Sequence, residues 1–363
     1  MPFLHGFRRI VYEYQPLVDA VMCIVGTQKE ENPERSDGED QCKSLMELLE
    51  KESQSPVFTE GISYSLFKVS ELGEVSAAQV LLAYGADLNF EGKTALLHAF
   101  ASSDGLTVNN TCNIQLLLER GADVNSVTLD GETPLSSLVF LVKESLDGSA
   151  EDAAQIGRFC TRAAAILLDH GADPSCCLSA GDGEQWEPSL TQTSLEHFDL
   201  LFPLALLLLQ RGALFFCSSH GTSCWTGHTL IFVRLKEILQ EPVDAAKVTD
   251  LLAKAEVLLE IAQMCSLNFP PLSTLSVSSV QELEMVPQIL LELQNRLREQ
   301  EAQPLPLRHL CRAFIRHCLQ PWPLEDKLRA LPLPDRLKDY LMPERSLIQR
   351  PGWDSFKSLS TIC

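Results

Sequence analysis

LLAYGADLN at Leu81–Asn89, LLLERGADVN at Leu116–Asn125, LLDHGADPS at Leu167–Ser175 and LLLQRGA at Leu207–Ala213 are one phrase written four times. Each reads as the end of an amphipathic helix closed by a glycine in the left-handed conformation, with Asp or Asn opening a turn behind it. A second phrase opens the units: GKTALLHAF at Gly92–Phe100 and DGETPLSSL at Asp130–Leu138. There Thr94 or Thr133 caps a helix, Pro134 suits a first turn, and Leu96 or Leu135 points inward.

These phrases resemble the ankyrin repeat, a turn, helix and helix unit of about 33 residues. The glycines at Gly85, Gly121, Gly171 and Gly212 lie 36, 50 and 41 residues apart. Thr133 to Gly171 exceeds the ankyrin spacing by about 17 residues. The acidic stretch around 142–156 (Glu144, Asp147, Glu151, Asp152) is therefore expected to be a surface loop between two helices. The finger from Asn89 to Thr94 is about three residues short, as though whole repeats had been lost there in phase. Upstream, Gly73 and Leu66 mark a degenerate first repeat over 57–89. Downstream, Leu195–Ala213 and Thr229–Met264 read as two further degenerate units, for about five repeats over 57–265. Residues 28–43 hold almost no apolar side chains and read as disordered, completing an N-terminal segment 1–56 that is otherwise helical. Residues 266–303 read as a linker with a helix over Val286–Leu297.

The C-terminal part carries a different pattern. PLRHLCRAFIRHCL from Pro306 places Leu307, Leu310, Cys311, Phe314, Ile315 and Cys318 along one helical face, with Arg308, Arg312 and Arg316 off it. ALPLPDRLKDYL at Ala330–Leu341 follows; its prolines cannot continue a helix, and Asp335 opens a short new one bearing Leu337, Tyr340 and Leu341. Read alone, the apolar face fits a helical cap on the last repeat, which terminal repeats need. The order LxxLCRxxIR, LPLP, LxxYL nevertheless resembles the SOCS box. An ankyrin array ahead of it is the layout of the ankyrin repeat and SOCS box family. MPFLHGFRRIVYEYQPLVDA, GKTALLHAFASSDG, HGTSCWTGH at His220–His228 and LQPWP are similar to stretches of that family. The short finger at Asn89–Gly92 departs from it, where further repeats would stand.

The fold class this implies is all-α: an ankyrin-repeat solenoid of helix pairs with short finger hairpins, then a three-helix SOCS box over 304–342 and a tail over 343–363. The resemblance further implies that Leu307, Leu310, Cys311 and Ile315 face elongin C, which pairs with elongin B. Leu331, Pro332, Leu333 and Pro334, with Leu337, Tyr340 and Leu341, would contact cullin 5, which brings its RING subunit. A target protein would be held by the fingers and first helices of the array, with Phe90, Glu91, Thr128, Leu129 and Asp130 as finger candidates. Phe90 is the lone aromatic among these, and both an anchor and a packed ring fit it. The competing reading is a non-catalytic ankyrin scaffold whose last helices only cap the array.

Charge and composition narrow the alternatives. The 363 residues carry a formal charge of -20. Residues 304–363 are +4 and the remainder -24, which argues against nucleic-acid binding and favours a basic cargo surface. No apolar run is long enough to span a membrane, and the N-terminal one is broken by Arg8, Arg9, Glu13, Pro16 and Asp19. Twelve dispersed cysteines, with Cys160, Cys265, Cys311 and Cys318 at helical apolar positions, read as buried free thiols in the cytoplasm. Cys176, Cys177, Cys217, His220, Cys224 and His228 cluster in sequence but lack paired ligand spacing, so no metal or cofactor is expected. No hydrolase, phosphate-loop or dinucleotide motif is present, and His98 reads as a structural hydrogen-bonding residue.

Overall fold

The computed structural model describes residues 3–26, 38–90, 93–100, 110–127, 131–146, 150–174, 188–217, 221–240, 244–265, 269–272, 288–319 and 324–342. The described chain is helical apart from two small hairpins and divides into two compact units, 1–137 and 138–363.

In the first unit, α1 (Phe3–Gly26), α2 (Gly38–Glu52), α3 (Phe58–Leu72) and α4 (Val75–Ala83) precede a hairpin of β1 (Asn89–Phe90) and β2 (Lys93–Thr94). The strands pair Asn89 with Thr94 and Phe90 with Lys93. Then come α5 (Ala95–His98) and α6 (Thr111–Glu119). Helix α1 packs on α3 and α2 on α4, so the N-terminal segment forms a helix pair laid against the first repeat. Gly61 lets α1 approach closely, since a Cβ there would stand 2.8 Å from the Leu17 side chain. Residues 38–43, expected to be disordered, are instead the first turns of α2. Glu39 and Asp40 lie in its first turn, where carboxylates favour the positive end of the helix dipole, and Leu45 and Leu49 bury its apolar side.

Helix α7 (Pro134–Leu146) spans the boundary between the units. The second unit continues with α8 (Ala150–Asp169), α9 (Leu190–Glu196) and α10 (Phe198–Gln210). After the hairpin of β3 (Phe216–Cys217) and β4 (Gly221–Thr226) come α11 (Gly227–Leu239), α12 (Ala245–Cys265) and α13 (Gln288–Glu301). Where it is described, the stretch expected as an acidic loop corrects to helix: α7 runs to Leu146 and α8 begins at Ala150, and residues 147–149 lie outside the described residues. Its alanines and glutamates are strong helix formers, and acidity alone does not make a loop. Helix α9 starts at Leu190, earlier than the expected unit, because Ser189 caps it by accepting from Gln192 N–H. Helix α10 breaks at Leu201, just before Pro203, whose missing N–H removes a helix hydrogen bond.

The glycine caps recur as one device. Gly85, Gly121, Gly171 and Gly212 all have φ between 90° and 94°. Behind each, the alanine N–H reaches back to a leucine carbonyl: Ala86 to Leu81, Ala122 to Leu117, Ala172 to Leu167 and Ala213 to Leu208. This is the six-to-one bond that closes a helix through a left-handed residue. The core of the second unit runs through Phe202, Ala205 and Leu209 of α10, Ile231 and Leu235 of α11, and Leu258 and Ile261 of α12. Leu290 and Leu293 add α13 to that core.

Candidate functional site

Three short helices close the described chain: α14 (Leu307–Cys318), α15 (Leu324–Ala330) and α16 (Asp335–Leu341). Helix α14 leaves from Pro306, whose carbonyl accepts from His309 N–H at 2.8 Å. Its amphipathic face does not lie where a cap would put it. Leu307 is 75% exposed, Leu310 47% and Phe314 59%, while Arg312 and Arg316 are only 4% and 3% exposed. The helix packs on α12 and α16 through Arg312, Ala313 and Arg316. Its hydrophobic stripe faces out.

Cys311 and Cys318 are exposed with that stripe, which corrects the expectation of buried thiols there; Cys265 is half-buried. Cys160 does lie in the core, where burial pushes its thiol up to about 12. Ile315 is half-buried against a small core of Leu328, Leu341 and Met342.

The two arginines are held by chemistry that spacing did not reveal. Arg316 Nη1 donates to the Leu341 carbonyl at 2.7 Å, and Nη2 donates to the Gln210 carbonyl. The Arg312 guanidinium lies 4.7 Å from the centre of the Tyr340 ring, a cation–π arrangement. Burial lowers the Arg312 pKa from the ordinary arginine value, and the neighbouring Arg316 charge adds to the lowering. Lys327 Nζ donates to the Leu319 carbonyl at 3.0 Å, and Lys338 Nζ to the Arg329 carbonyl at 2.8 Å. Part of the positive charge of this segment therefore sits at helix carboxyl ends, where the dipole favours it.

The expected second element divides. Pro332, Pro334 and Leu337 are exposed; Leu331, Leu333 and Tyr340 are half-buried; Leu341 is buried. Leu331 and Leu333 pack against the Leu328–Leu341 core. Leu341 thus belongs to the frame of the box and not to its surface.

On the array, Phe90 is half-buried. Its ring stands edge-on to Tyr14 at 6.5 Å and tilted to Phe67 at 6.5 Å. It is a packed ring. Glu91, Thr128, Leu129 and Asp130 lie outside the described residues, as does the tail 343–363. Among the exposed apolar residues that the sequence did not single out, such as Val127 and Leu200, Phe140 and Val233 stand out as a pair. Each stands seven residues after the threonine that caps its helix, Thr133 and Thr226, so they hold the same position in their repeats. That shared register was the available signal. His98 Nδ1 and Glu71 Oε1 are 2.6 Å apart, a structural link.

Cys176, Cys177 and His220 lie outside the described residues. Among the described residues no group of three or more His, Cys, Asp or Glu is placed to hold a metal ion. No helix among them is long and apolar enough to cross a membrane.

The SOCS box family model matches residues 303–342. Over nearly its whole length the chain is similar to ankyrin repeat and SOCS box protein 6 of Pongo abelii and of Homo sapiens. Each is 39% identical over 425 aligned residues, covering 95% of this chain and 98% of the relative. The protein of that name from Mus musculus is 39% identical over 423 residues, covering 95% and 99%. Those alignments are longer than the 363 residues of this chain. At least about 60 aligned positions of the relatives therefore have no counterpart here, roughly two ankyrin units.

Proposed function

The chain belongs to the ankyrin repeat and SOCS box protein family, and from that premise we propose that it is the substrate-recognition adaptor of a cullin 5–elongin B/C–RING ubiquitin ligase. The observation that carries this is the orientation of α14. A helix serving only to cap an array buries its apolar stripe on the array. This one turns Arg312 and Arg316 inward and leaves Leu307, Leu310 and Phe314 to solvent. Exposed stripes of this kind are interaction sites or aggregation liabilities.

In this reading Leu307, Leu310 and Cys311 dock on elongin C, with Ile315 at the edge of the contact. Pro332, Pro334 and Leu337 meet cullin 5, supported from behind by Leu331, Leu333, Tyr340 and Leu341. The chain itself performs no bond chemistry. It brings a cytoplasmic target and a charged E2 into one complex, so that the encounter of lysine and ubiquitin becomes nearly intramolecular. The acidic body favours a target with a basic surface. Phe140 and Val233, on equivalent faces of α7 and α11, are two apolar contacts available to it. The short spacing from Asn89 to Thr94 supports a loss of whole units at that finger, and on this reading the target surface is shorter than that of the relatives.

The test is co-expression with elongins B and C, followed by pull-down of cullin 5. A Leu307→Pro/Cys311→Phe variant serves as the comparison. Complex formation by the natural chain and its loss in the variant support the adaptor. A folded, soluble chain that binds neither elongin nor cullin supports the scaffold.

A further inference from the structure

The carboxyl end of a helix leaves carbonyls without intrahelical donors and carries a partial negative charge. Gln210 closes α10 in the array and Leu341 closes α16 in the box. Both carbonyls accept from the same guanidinium, that of Arg316. Lys327 and Lys338 also donate to helix-end carbonyls, but their acceptors, Leu319 and Arg329, lie inside the box. Arg316 reaches across from the box to the array.

We propose that Arg316 is a positioning residue that locks the SOCS box onto the repeat carrying α10, fixing the direction in which the α14 apolar face points. Arginine suits this role. Its planar fork presents donors in fixed directions, so two carbonyls bound at once set an orientation; a lysine ammonium does not. Burial of the side chain keeps water from competing for either carbonyl. Arg312, stacked on Tyr340 one turn earlier, holds α14 against α16 so that both follow the same latch. The purpose assigned to the latch rests on the adaptor reading. A box that swings freely spreads cargo and ubiquitin donor over a large volume, whereas a fixed box holds their separation and raises effective concentration.

The experiment measures distances in the full chain without partners. Spin-labelled unnatural residues replace Lys247 on α12 and Arg336 on α16, both exposed, and the distance distribution is read by double electron–electron resonance. The natural Arg316 is expected to give one narrow distribution. Arg316→Met is expected to at least double its width, and Arg316→Lys to give an intermediate width. Elongin B/C affinity of Arg316→Met should stay within about threefold of the parent, because the docking face is untouched. An Arg316→Met distribution as narrow as the parent's, at the same centre, overturns the latch. If that variant does not fold by circular dichroism, Arg316→Lys decides: an unbroadened distribution overturns the proposal equally. Failure of the natural chain to bind elongins removes the adaptor reading and leaves the distance result standing, so the two fail separately.

Discussion

Replacing Leu307 and Leu310 together by alanine separates docking from folding. Full burial of a leucine side chain contributes about 1.5–3 kcal/mol. Leu307 has three quarters of its surface available for burial by a partner and Leu310 about half. Truncation to alanine keeps the β-carbon, so the pair loses about 2 kcal/mol of contact, roughly 30-fold in Kd. Stability should barely move, because exposed side chains away from special features change it by within about 0.5 kcal/mol. The contrast is Leu341→Ala, buried against Leu328 and Met342, which should destabilise the box by about 2–5 kcal/mol. The assay is titration calorimetry against purified elongin B/C, with a thermal melt of each free variant. An unchanged Kd with a lowered melting temperature in the Leu307/Leu310 pair would refute the reasoning, since the stripe would then be part of the fold.

Gly73→Ala should destabilise the first unit by about 1–3 kcal/mol in denaturant titration. The position has φ of 72°, and a Cβ there would stand 2.0 Å from Asn110 Oδ1, disturbing an amide that donates to the Ser70 and Ala99 carbonyls. Gly227→Ala should be costlier in the same assay, about 3 kcal/mol or more, because its Cβ would meet the buried Phe215 ring at 2.2 Å. His228 stands two residues after capping Thr226, where Leu96 and Leu135 stand after Thr94 and Thr133. Burial lowers its pKa to about 4, and its Nδ1 has no hydrogen-bond partner among the described residues. Below the ordinary histidine value of about 6.5 the unfolded chain takes up a proton that the folded chain refuses. Its stability is therefore full above that value and falls by about 3 kcal/mol as pH drops toward 4. His228→Leu should flatten that pH dependence in thermal melts between pH 7 and 4.5; an unchanged slope would show that other groups set it.

The repeat grammar was legible wherever one residue type answers one backbone demand. A left-handed helix end admits glycine far more readily than other residues, so Gly85, Gly121, Gly171 and Gly212 announced four helix ends. Thr94 and Thr133 announced two starts in the same way, and Thr94 Oγ1 and Thr133 Oγ1 accept the expected N–H bonds. The helical extension of α7 and α8 was not legible from charge, because an acidic surface stretch suits a solvated helix as well as a loop. Nor could the α14 periodicity say which face turns inward. A stripe of Leu307, Leu310 and Phe314 is identical in sequence whether it meets the chain itself or a partner. The choice lies with Arg316 and its two carbonyl acceptors, one of them 106 residues away. Phe90 shows the same limit at smaller scale: its neighbours Tyr14 and Phe67 are distant in sequence and make it a packing residue.

The most direct measurement is a thiol footprint of α14. The full chain is treated briefly with an alkylating reagent, alone and with elongin B/C, and each cysteine is quantified by mass spectrometry. Cys311 shares the exposed stripe, Cys112 is an exposed control on the array, and Cys160 is a buried one. The expected result is fast labelling of Cys311 and Cys112 in the free chain, none of Cys160, and protection of Cys311 but not of Cys112 once elongins are added. Cys311 already protected in the free chain, or labelled as fast in the mixture as without elongins, would contradict the assignment of α14 as the docking face.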